Sequence, residues 1–194
     1  MAALGKEAAL ILIDVQKAFV EMEDTGRRRN NPQAVANMAR LLEAFRNRGL
    51  AVFHVRHASK EPGSLLRPER SGYEAIGEAA ERAGEPVLVK HVNSAFVGTD
   101  LEQRLRDGGY ETVVIAGITT NHCVETTTRM AGNLGFDARL VEDACYTFDR
   151  VGHSGEVESA EAIHAMTLSN LDGEFARIET TETVLAALRH SAAA

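Results

Sequence analysis

Apolar positions fall along this chain in short unbroken runs that alternate with longer stretches repeating every three to four residues. The first run, residues 8–13 (AALILI), has no polar member, as expected of a strand covered on both faces in a parallel sheet. It ends at Asp14. Val35, Met38, Leu41, Leu42 and Phe45 then recur at helical spacing behind Pro32, with Asn31 as the expected cap and Gly49 as the stop. Residues 50–55 (LAVFHV) read as a second strand, 87–89 (VLV) as a third ending at Lys90, and 112–116 (TVVIA) as a fourth. A fifth is expected at 136–141 and a sixth at 175–178. Further helices are predicted from about 99 to 106, from Cys123 to about Leu134 with Gly135 as its cap, over 157–170, and over about 180–189 behind Thr180 or Thr181. Residues 21–31, 57–86 and 144–155 follow neither period and read as loops. The middle one holds three of the chain's four prolines.

Strands that alternate with helices predict an α/β fold. The expected form is a Rossmann-like, doubly wound three-layer sandwich, with a mainly parallel sheet of about six strands covered on both faces. No repeat, linker or low-complexity tract divides the chain, so a single domain over 1–194 is expected. Ligands of such folds sit outside the carboxyl ends of the strands, at the switch point of the sheet. That rule selects Asp14, Lys90 and Cys123, at or just past the ends of the first, third and fourth strands. An ionisable residue at the end of an apolar strand needs a partner or water. An acid, a cation and a thiol at one sheet edge make a proton acceptor, a charge and a nucleophile.

Cys123 itself has two readings. The leading N–H groups of a helix have no partner within it and carry partial positive charge, which favours a thiolate and a nucleophile. A small buried core cysteine is the other.

Composition narrows the partners. At 194 residues with a formal charge of −7, the chain suits a soluble protein and argues against nonspecific nucleic-acid binding. Arg27, Arg28 and Arg29 sit beside Glu21, Glu23 and Asp24 and read as a solvated loop. Two cysteines make no disulfide framework, and no signal peptide is visible, so the reducing cytoplasm is expected. The apolar run near the N-terminus is too short to span a membrane.

Three stretches, LILIDVQKAF, VLVKHVNSAFVGTDLEQRL and VVIAGITTNHCVETT, resemble in order and spacing the signature blocks of the isochorismatase-like cysteine hydrolases. The resemblance runs from about residue 8 to about 145. It implies a catalytic triad of Asp14, Lys90 and Cys123 and a strand order of 3-2-1-4-5-6. It also implies a non-proline cis peptide at Ile118–Thr119, with the backbone N–H groups of Thr119 and Cys123 as an oxyanion hole. Phe19 matches a position that packs on substrate. Asn93, Phe96 and Tyr146 are further candidates for substrate binding, with Phe148 and Arg56 as other wall residues. His91, His164 and Cys145 read as structural, and no acid–base role is expected for His122.

Nicotinamidase-like members carry an Asp-x-His metal pair after the second strand. Here that position reads HVRHAS, and His54 and His57 fall on opposite faces of an extended strand. No metal and no other cofactor is therefore expected. True isochorismatases cleave a vinyl ether and lack the nucleophilic cysteine, which Cys123 supplies here. The resemblance thus implies a metal-independent hydrolase that opens a C–N bond of a small amide, ureido or carbamoyl compound through a thioester. A homodimer or homotetramer is expected, with no nucleic-acid or membrane partner. The competing readings are a non-hydrolytic binding protein and a redox sensor that pairs Cys123 with Cys145.

Overall fold

Strand β1 (Ala8–Ile13) is buried at all six positions, because it lies in the middle of the sheet with helices above and below. In the computed structural model, which describes residues 4–190, it is followed by α1 (Ala18–Asp24), α2 (Ala34–Asn47), β2 (Ala51–His57) and β3 (Val87–Lys90). Then come α3 (Leu101–Asp107), β4 (Thr112–Ile118), α4 (Glu125–Asn133) and β5 (Asp137–Tyr146). A two-residue pair, β6 (Arg150–Val151) and β7 (Val157–Glu158), precedes α5 (Ala160–Leu171), β8 (Arg177–Glu179) and α6 (Thr181–His190).

Six strands form one parallel sheet in the order β3-β2-β1-β4-β5-β8. The sheet is the expected doubly wound one. Its sixth strand is eighth in the chain only because the small β6–β7 hairpin intervenes. Side chains of β1 alternate between two cores. Ala8, Leu10 and Leu12 meet Met38, Leu41 and Phe45 of α2 and Val184 and Leu188 of α6. Ala9, Ile11 and Ile13 meet Leu101 and Leu105 of α3, Ala131 of α4 and Leu171 of α5. Truncating one of these buried leucines or isoleucines to alanine would cost about 2–5 kcal/mol. No helix among the described residues is long and apolar enough to cross a membrane.

Three local features depart from the sequence reading. The segment AFVEMED forms α1 rather than entering a loop, burying Ala18 and Phe19 while its acidic residues stay outside. Asn31 does not cap α2, whose first residue is Ala34. It lies at φ 44°, and its side-chain amide donates to the carbonyls of Glu142 and Cys145 at 3.0 and 2.7 Å. β5 runs on to Tyr146, five residues past its expected end, after an irregularity in its pairing with β4 between Ile115 and Gly117. Gly117 permits the close contact of β4 with β1. It has φ 144°, and a Cβ there would stand 2.1 Å from the Ile13 carbonyl oxygen.

Candidate active site

Four neighbouring strands, β3, β2, β1 and β4, bring Lys90, His57, Asp14 and Cys123 to one end of the sheet. Lys90 and His57 close their strands and are register partners, and Asp14 follows β1 directly. Asp14 turns out of the strand at φ 51°, with its N–H donating to the Val55 carbonyl at 2.8 Å. Left-handed backbone disfavours most L-residues, and Asp is among the few that tolerate it. Gln16, fully buried, fastens the strand ends together. Its Nε2 donates to the carbonyls of His57 and Tyr73, and its Oε1 accepts from the His57 N–H.

The Lys90 ammonium is fully buried and donates to Asp14 Oδ2 at 2.7 Å and to His57 Nδ1 at 3.2 Å. His57 Nδ1 therefore accepts and its ring is neutral, in line with burial and the Lys90 charge holding its pKa below the ordinary value. The other carboxylate oxygen, Asp14 Oδ1, is buried without a hydrogen-bond partner. Cys123 Sγ, a carboxylate oxygen of Asp14 and a ring nitrogen of His57 lie within 4.8 Å of one another. Burial pushes the Asp14 carboxyl up against the opposing pull of Lys90. Burial, then the Asp14 charge, pushes the Cys123 thiol up to about 12. Burial and the Asp14 charge thus oppose the thiolate that the helix start favours. A helix terminus contributes about 0.3–1 kcal/mol, less than the desolvation of a buried anion beside a carboxylate.

Cys123 sits in a single π-helical turn, Thr120–Val124, ahead of α4. The Ile118–Thr119 peptide before it is cis. Side chains bolt this turn in place. Thr120 Oγ1 meets His164 Nδ1 at 2.9 Å, and Thr147 Oγ1 donates to Asn121 Oδ1 at 2.6 Å. Arg150 Nη1 donates to His122 Nε2 at 3.2 Å, so the His122 proton lies on Nδ1, which donates to Thr119 Oγ1 at 2.9 Å. Burial, then Arg150, lowers the His122 pKa.

A cavity of about 520 Å³ opens over these groups. Asp14, His57, Thr119, His122 and Cys123 line it, together with the expected Phe19 and Asn93. Phe148 also lines it, stacked on Phe19 with ring centroids 6.4 Å apart. Phe96 and Tyr146 are not brought there. Phe96 stacks on Phe136 at 6.0 Å in the opposite core. Tyr146 is fully buried, edge-on to Phe148 and beneath the Arg29 guanidinium at 4.3 Å. β5 runs on to Tyr146 and carries it into the core, where it packs with Phe148; Phe148, past the strand's end, also reaches the cavity. Arg56 pairs with Glu81 instead of lining the wall.

His57, Gln16, Arg27 and Arg150 have no site role in the sequence reading. His57 closes β2 two residues past the end expected for that strand, so the strand-end rule did not select it. The arginines carry no such positional signal. Asp14, His57 and Cys123 are close enough to hold a metal ion. Lys90 already donates to two of them, so a cation there would stand against the ammonium. His54 is turned elsewhere, bonded to Glu85 at 2.9 Å.

Comparison with known proteins places this arrangement among relatives. The isochorismatase domain family model matches residues 8–182. The chain is 42% identical to the isochorismatase family protein YrdC of Bacillus subtilis over 183 residues, covering 94% of this chain and 96% of that protein. A crystal structure of an isochorismatase-family protein from Chromobacterium violaceum superimposes with a TM-score of 0.92 at 45% identity, covering 98% of this chain and 97% of that one. The ureidoacrylate amidohydrolase RutB of Variovorax paradoxus is 30% identical over 179 residues, covering 75% of this chain and 71% of the enzyme.

Proposed function

Because this chain belongs to the isochorismatase family, we propose that it is a metal-independent cysteine hydrolase acting on a C–N bond of a small amide, ureido or carbamoyl compound. The observation that carries the reading is the buried Asp14–Lys90 pair standing against the Cys123 thiol at the floor of the cavity. The amidohydrolase activity of the RutB relative supports the bond type.

In this reading Asp14 takes the Sγ proton as the sulfur attacks the carbonyl carbon. A thiol pushed up to about 12 has almost no standing thiolate, so the base must act during attack. A carboxylate raised above its ordinary range is better matched to that task than a normal one. The oxyanion is received by the backbone N–H groups of Thr119 and Cys123. Asp14 passes the proton to the nitrogen, the C–N bond breaks, and the amine or ammonia leaves a thioester on Cys123. Asp14 then accepts a proton from water as the water oxygen attacks the thioester. Collapse expels the sulfur, which regains that proton, and releases the acid product. Lys90 holds the carboxylate in place and offsets its charge, and Phe19, Phe148 and Asn93 surround the substrate.

The redox-sensing alternative needs a second reachable thiol, whereas Cys145 is fully buried and also pushed up to about 12. Both cysteines are free, as suits a reducing cytoplasm, the proposed compartment. An assembly of two or four copies belongs to the same proposal. The paired Val151 and Val157 of the β6–β7 hairpin, 64% and 70% exposed, offer an apolar surface for it.

A panel of small amides and ureas, read by ammonia release, tests the function. Cys123→Ala should abolish release while circular dichroism stays native. Full turnover in that variant, or strong inhibition of the native protein by chelators, would overturn the reading.

A further inference from the structure

Most arginines of this protein are neutralised by a carboxylate. In the Arg27-Arg28-Arg29 triplet, Arg28 pairs with Asp149 and Glu161, and Arg29 pairs with Glu23. Arg27 is the exception. Its guanidinium lies over the Phe148 ring at 5.0 Å and against Met22 Sδ at 3.6 Å, and it lines the cavity. Arg150 lines the cavity too, and its bond goes to a neutral ring nitrogen, His122 Nε2. Neither arginine forms an ion pair among the described residues.

The charge of the cavity follows from these pairings. Asp14 is the only carboxylate among its lining residues, and the Lys90 ammonium offsets it from behind. His57 and His122 are held neutral by burial and then by the ammonium and guanidinium they accept from. Two exposed guanidinium groups with no carboxylate partner therefore edge a small, largely apolar space in a protein whose formal charge is −7. A neutral ligand has no use for them. A planar carboxylate does, because guanidinium forks match its two oxygens. Arg27 is held by the ring of Phe148, and Arg150 by His122, next to the nucleophile in the same turn.

From the unpaired Arg27 and Arg150 at the cavity, we infer that the substrate class is a small amide or ureide that also bears a carboxylate, bound by these two guanidinium groups. This rests on the proposed hydrolysis at Cys123, but its test does not require turnover. Iodoacetate and iodoacetamide alkylate the same sulfur and differ mainly in one carboxylate. Their relative rates at Cys123, mapped by mass spectrometry and referred to the same ratio for glutathione, report the potential that a carboxylate meets in the cavity. The ratio is the readout because changes in thiol reactivity cancel from it.

The native protein should favour iodoacetate by about tenfold over the glutathione ratio at low ionic strength, and less as salt is added. Arg150→Gln and Arg27→Gln should each lower the preference, and the double variant should bring it to the glutathione value. Arg150→Lys should retain part of it. A native ratio equal to that of glutathione, a preference unchanged in the double variant, or no labelling of Cys123 by iodoacetate would overturn the inference. Absence of turnover on any amide, with the preference intact, would instead strike the hydrolase reading alone.

Discussion

The Lys90 ammonium meets the Asp14 carboxylate at 2.7 Å with both side chains at most 1% exposed, so each is the other's means of staying charged inside the protein. Removing one partner of such a pair leaves an uncompensated buried charge, at a cost of about 3–5 kcal/mol. Lys90→Met should therefore destabilise the fold by about that amount in urea titrations and abolish turnover. Asp14→Asn combined with Lys90→Met should recover much of the stability and none of the activity. Additive losses in the double variant would mean that the two side chains are not coupled.

Asp14 raises the Cys123 pKa through its charge, while Lys90 lowers it. Asp14→Asn should thus move the pH profile of Cys123 alkylation by iodoacetamide to lower pH, even as it eliminates hydrolysis. A faster-labelling thiol in an inactive variant is the signature of a lost base. In the native enzyme, the acid limb of kcat/KM should lie above the ordinary carboxylate value of 3.8, because Asp14 must be ionised and its pKa is raised. An acid limb below that value would contradict the assignment of Asp14 as the base.

Gly117 carries the approach of β4 to β1 just before the catalytic turn. Gly117→Ala would set a methyl group 2.1 Å from the Ile13 carbonyl oxygen at φ 144°. The variant should lose more than about 1 kcal/mol of stability, since alanine at positive φ is strained as well as crowded. Activity should fall with it, because Asp14 and Thr119 flank this contact. Gly135, at φ 85° with open space around it, should tolerate the same change with less loss.

Acid stability should depend on a cluster far from the chemistry. Arg46 holds the Glu85 carboxyl down at about 2, with His54 and the Arg82 N–H adding to the effect. A carboxyl depressed in the folded state stabilises the protein above its unfolded value, here 4.5, and loses that contribution as pH falls toward about 2. Glu85→Gln should lower stability at neutral pH by roughly 2–3 kcal/mol, a difference that shrinks between pH 4.5 and 2. His54, with its pKa lowered by burial, adds a loss that begins higher, as pH falls below 6.5. Urea midpoints of the two proteins at pH 7 and pH 3 check the sign; an equal gap at both would contradict it.

What could be read from the sequence was whatever depended on strand ends. Asp14, Lys90 and Cys123 each close or follow an apolar run, and parallel topology alone brings such residues to one edge. Phe19 and Asn93 came from their positions in the matched blocks. The state of the thiol was not legible, because it depends on burial and on the distance to Asp14, and neither is written in the chain locally. That Tyr146 and Phe96 lie off the wall is not legible in the sequence, because the length of β5 and the packing of Phe136 are tertiary facts. α1 was hidden by Glu21, Glu23 and Asp24, whose polarity masks a short helix buried only at its first two positions. Arg27 and Arg150 are distinguished from their neighbours only by the absence of a carboxylate partner, and such pairings are visible only in the fold.

Cys123 is expected to carry the acyl group of the substrate between two half-reactions. Acid-quenched samples of the working enzyme, taken early in turnover of the best substrate from the amide panel and analysed by peptide mass, test it most directly. The expected result is a transient adduct on the Cys123 peptide alone, with the mass of the acyl portion, removed by hydroxylamine and absent from Cys123→Ala. Sustained turnover with no adduct on Cys123, or with the same rate in Cys123→Ala, would contradict it.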